Sequence, residues 1–127
     1  MDKVVHFEIP VDDAGRARAF YGSVFEWGLQ PMEGWDYTLA LTTPVDEKTQ
    51  VPTELGVING GLRPRSAETP TPMIVILVDS IDQALKKVEA EGGSTVSPRA
   101  EMAGMGAYAY FKDTEGNVIG LWEELAS

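Results

Sequence analysis

The sequence is most informative at residues Val4–Asp13, which read VVHFEIPVDD. Successive side chains of a strand point to opposite faces, so one face would carry the apolar residues Val5, Phe7, Ile9 and Val11. The other face would carry His6 and Glu8. The two aspartates at the end of the stretch can cap a following helix. The pattern therefore predicts a strand and a helix in which one sheet face is polar, as in the wall of a cavity.

The first half of the chain alternates between extended and helical patterns. We predict a strand over 3–11, a helix over 13–25, a strand over 35–42, a polar surface loop over 44–53 and a strand over 55–62. Residues 63–72, RPRSAETPTP, have the composition of a linker.

The second half begins with a continuous apolar strand. We predict a strand over 73–78, a helix from Ser80 or Asp82 to Glu91, a short strand over 94–97, a loop over 98–106 and strands over 107–111 and 118–123.

The two halves of the chain repeat each other. Residues 78–80 match residues 11–13 at an offset of 67, which aligns Met73 with His6, and residues 115–120 match residues 54–59 at an offset of 61. The repeat predicts a single domain made of module one (1–62), the linker (63–72) and module two (73–127), each module a βαβββ unit. One module alone would leave a sheet face bare, so the two should pack around a shared cleft.

The composition excludes several classes of protein. A formal net charge of −10 argues against binding to nucleic acid or to an anionic membrane. The chain has no Cys, which excludes a disulfide, a thiolate nucleophile and a zinc–thiolate site. No apolar segment approaches the ~18 residues of a membrane span, and the N-terminus does not resemble a signal peptide. A soluble cytoplasmic protein is the expectation.

Five segments of the chain resemble a known family. The matching segments, in order, are His6–Asp13, Arg18–Tyr21, Val78–Ala84, Glu91–Gly93 and Asp113–Trp122. Together they are similar to the vicinal oxygen chelate superfamily, which contains glyoxalase I, bleomycin-resistance proteins and extradiol dioxygenases, and most of all to its small glyoxalase-like members. The resemblance implies an α+β fold in which paired βαβββ modules form an open U-shaped barrel around a cleft, and often a homodimer.

The resemblance also implies where metal ligands would lie. In metal-dependent members they come from four equivalent strand positions, which here are His6, Asn59, Met73 and Gly120. Divalent ions need imidazole and carboxylate donors, and a protein with one His cannot build a triad of two His and a carboxylate. Glu8 could add one donor beside His6. We therefore expect no metal and no other cofactor, and the residues favour a binding protein over an enzyme.

The predicted cleft has apolar walls with a few polar groups, which is typical of a small-molecule pocket. The candidate ligand-binding residues are His6, Glu8, Trp35, Tyr37, Asn59, Met73, Tyr108, Tyr110 and Trp122. If the protein is an enzyme, His6 and Glu8 are the candidates for acid–base catalysis. The alternatives are that His6 is a hydrogen-bonded cavity residue and that the aromatic side chains fill the core.

Three functions remain open from the sequence. The first is a metal-free protein that binds an apolar or aromatic organic molecule. The second is a metal-dependent lyase or dioxygenase with an atypical ligand set. The third is a non-catalytic interaction module whose cleft is filled by its own side chains.

Overall fold

The computed structural model describes residues 1–102 and 104–125, and within them the chain is an α+β protein. The elements in chain order are β1 (Lys3–Val11), α1 (Ala14–Phe25), β2 (Gly28–Pro31), β3 (Thr38–Leu41), β4 (Asn59–Pro64), β5 (Met73–Leu77), α2 (Ile81–Ala90), β6 (Ser94–Met102), β7 (Gly106–Lys112) and β8 (Val118–Glu124). Each half therefore has the predicted order of one strand, one helix and three strands. No helix in the described part of the chain is long and apolar enough to cross a membrane.

The chain divides into two compact units. The boundary at Met73 coincides with the predicted start of module two. One unit is His6–Pro72, and the other joins residues 1–5 to the chain from Met73 onward. The predicted linker over 63–72 is structured at its start, because β4 extends to Pro64. It is also anchored further along, where the side chain of Thr69 is buried and its hydroxyl lies 2.8 Å from that of Ser66.

In the unit His6–Pro72 the strand order is β2-β3-β4-β1. β1 and β4 are parallel, with His6 opposite Asn59, whereas β3 is antiparallel to both β2 and β4. α1 begins after Asp13, whose carboxylate accepts a hydrogen bond from the backbone N–H of Arg16. The Arg18 guanidinium donates to Thr38 Oγ1 over 3.3 Å, so α1 covers the sheet face that contains Thr38. His6 and Glu8 lie on the opposite face, which we call the helix-free face of this unit.

In the other unit the strand order is β5-β8-β7-β6. α2 begins after Ser80, and the carboxylate of Glu123 on β8 accepts a hydrogen bond from the backbone N–H of Ile81 over 2.8 Å. Ile81 and Leu85 of the helix form a compact apolar cluster with Val78, Ala107, Ala109 and Leu121. Because these strand residues alternate with their neighbours, Tyr108 and Tyr110 lie on the opposite, helix-free face of this unit.

Several predicted strand boundaries are wrong, each for a local reason. The predicted strand over 35–42 begins only at Thr38, because residues 33–36 form the turn between β2 and β3. The predicted strand over 55–62 begins at Asn59. β2 was not predicted, since its four residues contain a glycine and a proline at the edge of the sheet. β6 is longer than the predicted 94–97 because a bulge accommodates Pro98 between Ser97 and Ala100.

The predicted offset of 67 residues between the two halves applies to the helices, but the pairing of equivalent strand residues is shifted. α1 and α2 start 67 residues apart, at Ala14 and Ile81, as the offset predicts. In the strands, however, the partner of Gly120 on β5 is Val75 and not Met73. Met73 and Gly120 are therefore not the paired counterparts of His6 and Asn59, which face each other directly.

Candidate functional site

The helix-free face of the unit His6–Pro72 holds a hydrogen-bonded pair of side chains. Nε2 of His6 lies 2.8 Å from the phenol oxygen of Tyr37, and both side chains are partly buried. His6 is placed by β1, and Tyr37 immediately precedes β3. Two residues that the sequence predicts as ligand-binding are thus brought together from positions 31 residues apart.

A glycine makes room for this pair. A Cβ on Gly61 would lie 1.8 Å from the Tyr37 phenol oxygen and 2.1 Å from Cζ, which is far inside van der Waals contact. Gly61 lies on β4 between Glu8 of β1 and Leu39 of β3. The absence of a side chain at this position allows the Tyr37 ring to lie over β4 and reach His6.

An ion pair lies beside the His6–Tyr37 pair on the same face. Nη1 of Arg63 is 3.4 Å from Oε1 of Glu8, and the side chains of Arg63 and Glu8 are only 22% and 10% exposed. Glu8 is two residues along β1 from His6, so both project from the same side of the strand. The predicted site residue Glu8 is therefore neutralised by a guanidinium that the sequence interpretation assigned to a linker.

Burial sets the protonation state of His6. The pKa of His6 is lowered from 6.5 chiefly because burial disfavours the charged imidazolium, and the negative charge of Glu8 opposes this only in part. A neutral imidazole is therefore the main form at neutral pH. It presents one N–H donor and one acceptor nitrogen to its surroundings.

The side chain of Asn59 is occupied by the chain itself. Its Oδ1 accepts hydrogen bonds from the backbone N–H groups of Thr42 and Thr43 over 2.7 and 3.0 Å. Its Nδ2 donates to the carbonyl oxygen of Thr43 over 3.2 Å. Asn59 thus connects the segment after β3 to β4 by hydrogen bonds. Its side-chain amide has little hydrogen-bonding capacity left for a ligand.

Trp35 is placed differently from Tyr37, although the predicted strand put them on one face. It lies in the turn between β2 and β3, where its backbone N–H donates to the carbonyl oxygen of Met32, and its side chain is 41% exposed. The structure does not bring Trp35 to the His6–Tyr37 pair.

The aromatic residues predicted in module two do share a face in their own unit. Tyr108 is opposite Trp122, and Tyr110 is opposite Gly120, which is in turn opposite Val75. The ring centroids of Tyr108 and Tyr110 are 5.9 Å apart. Met73 also lies on this helix-free face, by alternation with Val75, and it is buried.

Gly106 shapes this aromatic face as Gly61 shapes the polar one. A Cβ on Gly106 would lie 2.3 Å from Cζ2 of the Trp122 indole and 2.8 Å from the carbonyl oxygen of Glu123. The indole therefore lies close against β7 at Gly106.

Arg63 and Gly61 were missed by the sequence interpretation. The signal for Gly61 was available, because paired glycines inside a strand often mark a close approach by another group. No comparable signal existed for Arg63, since it is followed by Pro64 and its surroundings are typical of a loop. Among the residues that the structure describes, no group of three or more His, Cys, Asp or Glu side chains is placed to hold a metal ion.

A family model covers the part of the chain that carries His6, Glu8 and Tyr37. The model for the bleomycin resistance protein-like N-terminal region matches residues 3–42, which contain β1, α1, β2 and β3. The chain is also 26% identical over 120 residues to the candidate glyoxylase CFP32 of Mycobacterium bovis and to that of Mycobacterium tuberculosis. This match covers 91% of the chain but only 43% of the relatives, so the chain spans less than half of their length.

Solved structures share the fold over nearly the whole chain. A hypothetical protein, BH1468 from Bacillus halodurans, matches with a TM-score of 0.62 and 18% identity, over 99% of this chain and 96% of its own. A methylmalonyl-CoA epimerase variant from Streptomyces coelicolor, in complex with 2-nitronate-propionyl-CoA, matches with a TM-score of 0.64 and 13% identity, over 98% of each chain. The methylmalonyl-CoA epimerase of Mycobacterium tuberculosis matches with a TM-score of 0.59 and 16% identity, over 97% of this chain and 88% of its own.

The two repeated βαβββ units, each with a helix-free sheet face, define the class of protein. Together with the family model over residues 3–42 and the shared fold, they confirm that the chain is similar to proteins of the vicinal oxygen chelate superfamily.

Proposed function

We propose that this chain is a small-molecule-binding protein of the glyoxalase and bleomycin-resistance type. Its ligand is an organic molecule with an apolar or aromatic body, and it binds without a metal ion. The observation that carries the proposal is the His6–Tyr37 pair on the helix-free face of the unit His6–Pro72. A neutral imidazole and a phenol offer both donors and acceptors, so a carbonyl or hydroxyl group of a ligand can replace or extend their mutual hydrogen bond.

The donors on this face support a metal-free site. His6 Nε2 is hydrogen-bonded to Tyr37, the carboxylate of Glu8 is paired with Arg63, and the amide oxygen of Asn59 accepts from two backbone N–H groups. A divalent ion would have to displace these partners, and the guanidinium of Arg63 next to the carboxylate of Glu8 opposes a second positive charge.

The comparisons support an organic ligand in general terms. The Streptomyces coelicolor epimerase variant of the same fold is in complex with 2-nitronate-propionyl-CoA, which is an organic ligand. The alternative function is a metal-dependent lyase or dioxygenase, and the glyoxylase name of the mycobacterial relatives favours it.

A ligand screen with matched variants tests the proposal. Aromatic ketones, phenols and quinones are screened by ligand-observed NMR and by thermal shift, first on the natural protein. We expect Tyr37→Phe and His6→Ala each to weaken the best ligand by about tenfold or more, which corresponds to about 1.4 kcal/mol. Tyr21→Phe is the matched control, because Tyr21 lies on α1 and stacks on Trp27.

Metal content separates the two functions. We expect the melting temperature to be insensitive to EDTA, since only a ligand of the folded state raises apparent stability. Near-stoichiometric metal in the purified protein, with a fall in melting temperature on EDTA that His6→Ala reproduces, would replace the binding function with the enzymatic one. Equal binding by all three variants would show that the ligand binds elsewhere.

We further propose that the protein is a homodimer, as the family resemblance implies, and that it is cytoplasmic, as the sequence analysis predicts. Light scattering at micromolar concentration and fractionation of the cells that express it test them.

A further inference from the structure

α1 leaves part of its own sheet face uncovered. Ile9 of β1 is opposite Leu62 of β4, which is opposite Thr38 of β3, so all three side chains lie on the face that α1 covers. The helix contacts this face at β3, where Arg18 donates to Thr38. Ile9 and Val11 lie on the same face by alternation, yet both remain partly exposed. The apolar side of β1 is therefore open beside the helix.

A groove of about 320 Å³ lies between β1 and α1 at this place. Its apolar part is formed by Ile9 and Val11 of β1 and by Ala17 and Phe20 of α1. The side chain of Phe20 is 55% exposed, and the ring of Tyr21 packs against it edge-on with 5.2 Å between the centroids. Pockets for small organic molecules have volumes of roughly 300–1,000 Å³, so this groove can hold a molecule of modest size.

The groove carries charges of both signs where β1 ends and α1 begins. Asp12, Asp13, Arg16 and Arg65 line it there. The guanidinium of Arg65 donates to Oδ1 of Asp12 over 3.0 Å and also to two backbone carbonyl oxygens. Oδ1 of Asp13 accepts from the backbone N–H of Arg16. Each carboxylate is thus held in place through one oxygen, and no carboxylate in the described part of the chain pairs with the guanidinium of Arg16.

We propose that this groove binds a free α-amino acid with an apolar side chain. Such a molecule carries a carboxylate and an ammonium group on one carbon atom, next to an apolar group. Its carboxylate pairs with Arg16, its ammonium group pairs with Asp12, and its side chain packs between Ile9 and Phe20. The two arginines and two aspartates of the groove cancel in charge, so a zwitterion complements them better than an anion or a cation does.

NMR titration of the natural protein with L-phenylalanine tests the site. We expect chemical-shift changes at the backbone amides of Val11, Arg16 and Arg65. N-acetyl-L-phenylalanine has no ammonium group and L-phenylalaninamide has no carboxylate, and each should bind about tenfold more weakly or worse, because each loses one charge-assisted contact. Absence of these shift changes would overturn the proposal. Equal binding by either derivative would also overturn it, since the ligand class would then be wrong.

Charge variants test the assigned contacts. Arg16→Gln should weaken L-phenylalanine about tenfold and leave L-phenylalaninamide unchanged, because the amide has no carboxylate to lose. Asp12→Asn should likewise weaken L-phenylalanine and leave N-acetyl-L-phenylalanine unchanged. The matched control is Lys48→Gln, which removes a charge outside the groove and should leave all affinities unchanged. Equal loss for L-phenylalanine and the matching derivative would overturn the assigned pairing.

An apolar variant tests the contact with the ligand's side chain. Phe20→Ala should weaken L-phenylalanine about fivefold or more, because the ring loses apolar surface to pack against. Val24→Ala is the control, since Val24 lies one turn further along α1, is 54% exposed and does not line the groove. Circular dichroism of each variant confirms that it is folded. Unchanged affinity of folded Phe20→Ala would overturn the proposal.

Ligand binding at the His6–Tyr37 pair separates this inference from the proposed function. That pair lies on the opposite sheet face from α1, so Arg16→Gln should bind the ligand found in the screen as the natural protein does. Loss of L-phenylalanine alone would support an independent second site. Loss of both ligands in Arg16→Gln would show that they share one site and would overturn the inference.

Discussion

The phenol oxygen of Tyr37 lies 2.8 Å from Nε2 of His6, and it reaches that position only because residue 61 is a glycine. The contact joins a residue of β1 to one that precedes β3, across the intervening strand β4. The contact between His6 and Tyr37 therefore depends on the absence of a side chain at residue 61.

Gly61→Ala should break the His6–Tyr37 pair. The new Cβ would lie 1.8 Å from the phenol oxygen, so the Tyr37 ring must move away. Overpacking of this kind costs about 1–3 kcal/mol of the free energy of unfolding, measured by chemical denaturation. Gly28→Ala is the control, since its Cβ would meet only ordinary contacts with Leu41 at 3.5 Å or more. An unchanged His6 signal in the NMR spectrum of Gly61→Ala would contradict the prediction.

The lowered pKa of His6 predicts how stability depends on pH. The unfolded chain takes up a proton near pH 6.5, whereas the folded chain resists it until a lower pH, because the imidazole is buried. The unfolded state thus binds more protons in this window, and stability is full above pH 6.5 and falls as the pH drops toward the folded-state pKa. His6→Gln should remove this part of the pH dependence between pH 7.5 and the folded-state pKa, as measured by urea denaturation. His6 is the only histidine, so its NMR titration is unambiguous.

Alternation along a strand predicted side-chain faces wherever the strand itself was placed correctly. Tyr108, Tyr110 and Trp122 share a face as predicted, because β7 and β8 are regular and directly paired. Trp35 failed the same argument because a turn interrupts the predicted strand before Thr38. The helix-free position of His6 and Glu8 could be predicted from ten residues of local pattern.

The contacts made by those side chains could not be predicted in the same way. The His6–Tyr37 and Glu8–Arg63 pairs depend on the register of β3 and β4 against β1, which tertiary pairing determines. Arg63 was assigned to a linker because local composition alone cannot show that β4 continues through it. Asn59 was placed on the correct face, but its hydrogen bonds to Thr42 and Thr43 arise from a loop whose conformation the sequence does not reveal.

Asn59→Ala should destabilise the fold without directly weakening ligand binding. Two backbone N–H groups, of Thr42 and Thr43, would lose their acceptor, and unsatisfied buried groups cost about 1–3 kcal/mol each. We expect a loss of about 2–4 kcal/mol in the free energy of unfolding. Ligand affinity, measured well below the melting temperature, should stay within about twofold of the natural value, since such differences amount to less than 0.5 kcal/mol. A large loss of affinity in a stable Asn59→Ala protein would instead support Asn59 as a ligand-binding residue.

Two ion pairs within the unit His6–Pro72, Arg63–Glu8 and Arg65–Asp12, should differ in strength. The longer pair, Arg63–Glu8, should be the stronger one. Arg65 and Asp12 are 3.0 Å apart but have side chains 44% and 65% exposed, whereas Arg63 and Glu8 are 3.4 Å apart and largely buried. Solvent screens the first pair, so its coupling should be below about 1 kcal/mol. In the second pair the low local dielectric strengthens the attraction, and loss of one partner leaves the other charge buried.

Double-mutant cycles measure this difference. We expect Arg63→Ala to cost about 2 kcal/mol or more in the free energy of unfolding, because removing one partner of a fully buried pair costs about 3–5 kcal/mol and Arg63 retains some contact with solvent. The double variant Glu8→Ala, Arg63→Ala should lose less than the sum of the two single variants, since neither charge is then left alone. Asp12→Ala and Arg65→Ala form the control cycle and should be nearly additive. If the Glu8–Arg63 cycle were additive as well, the pair would not act as a unit. Arg63 would then hold Glu8 only weakly, and a divalent metal ion on this face would be less strongly disfavoured.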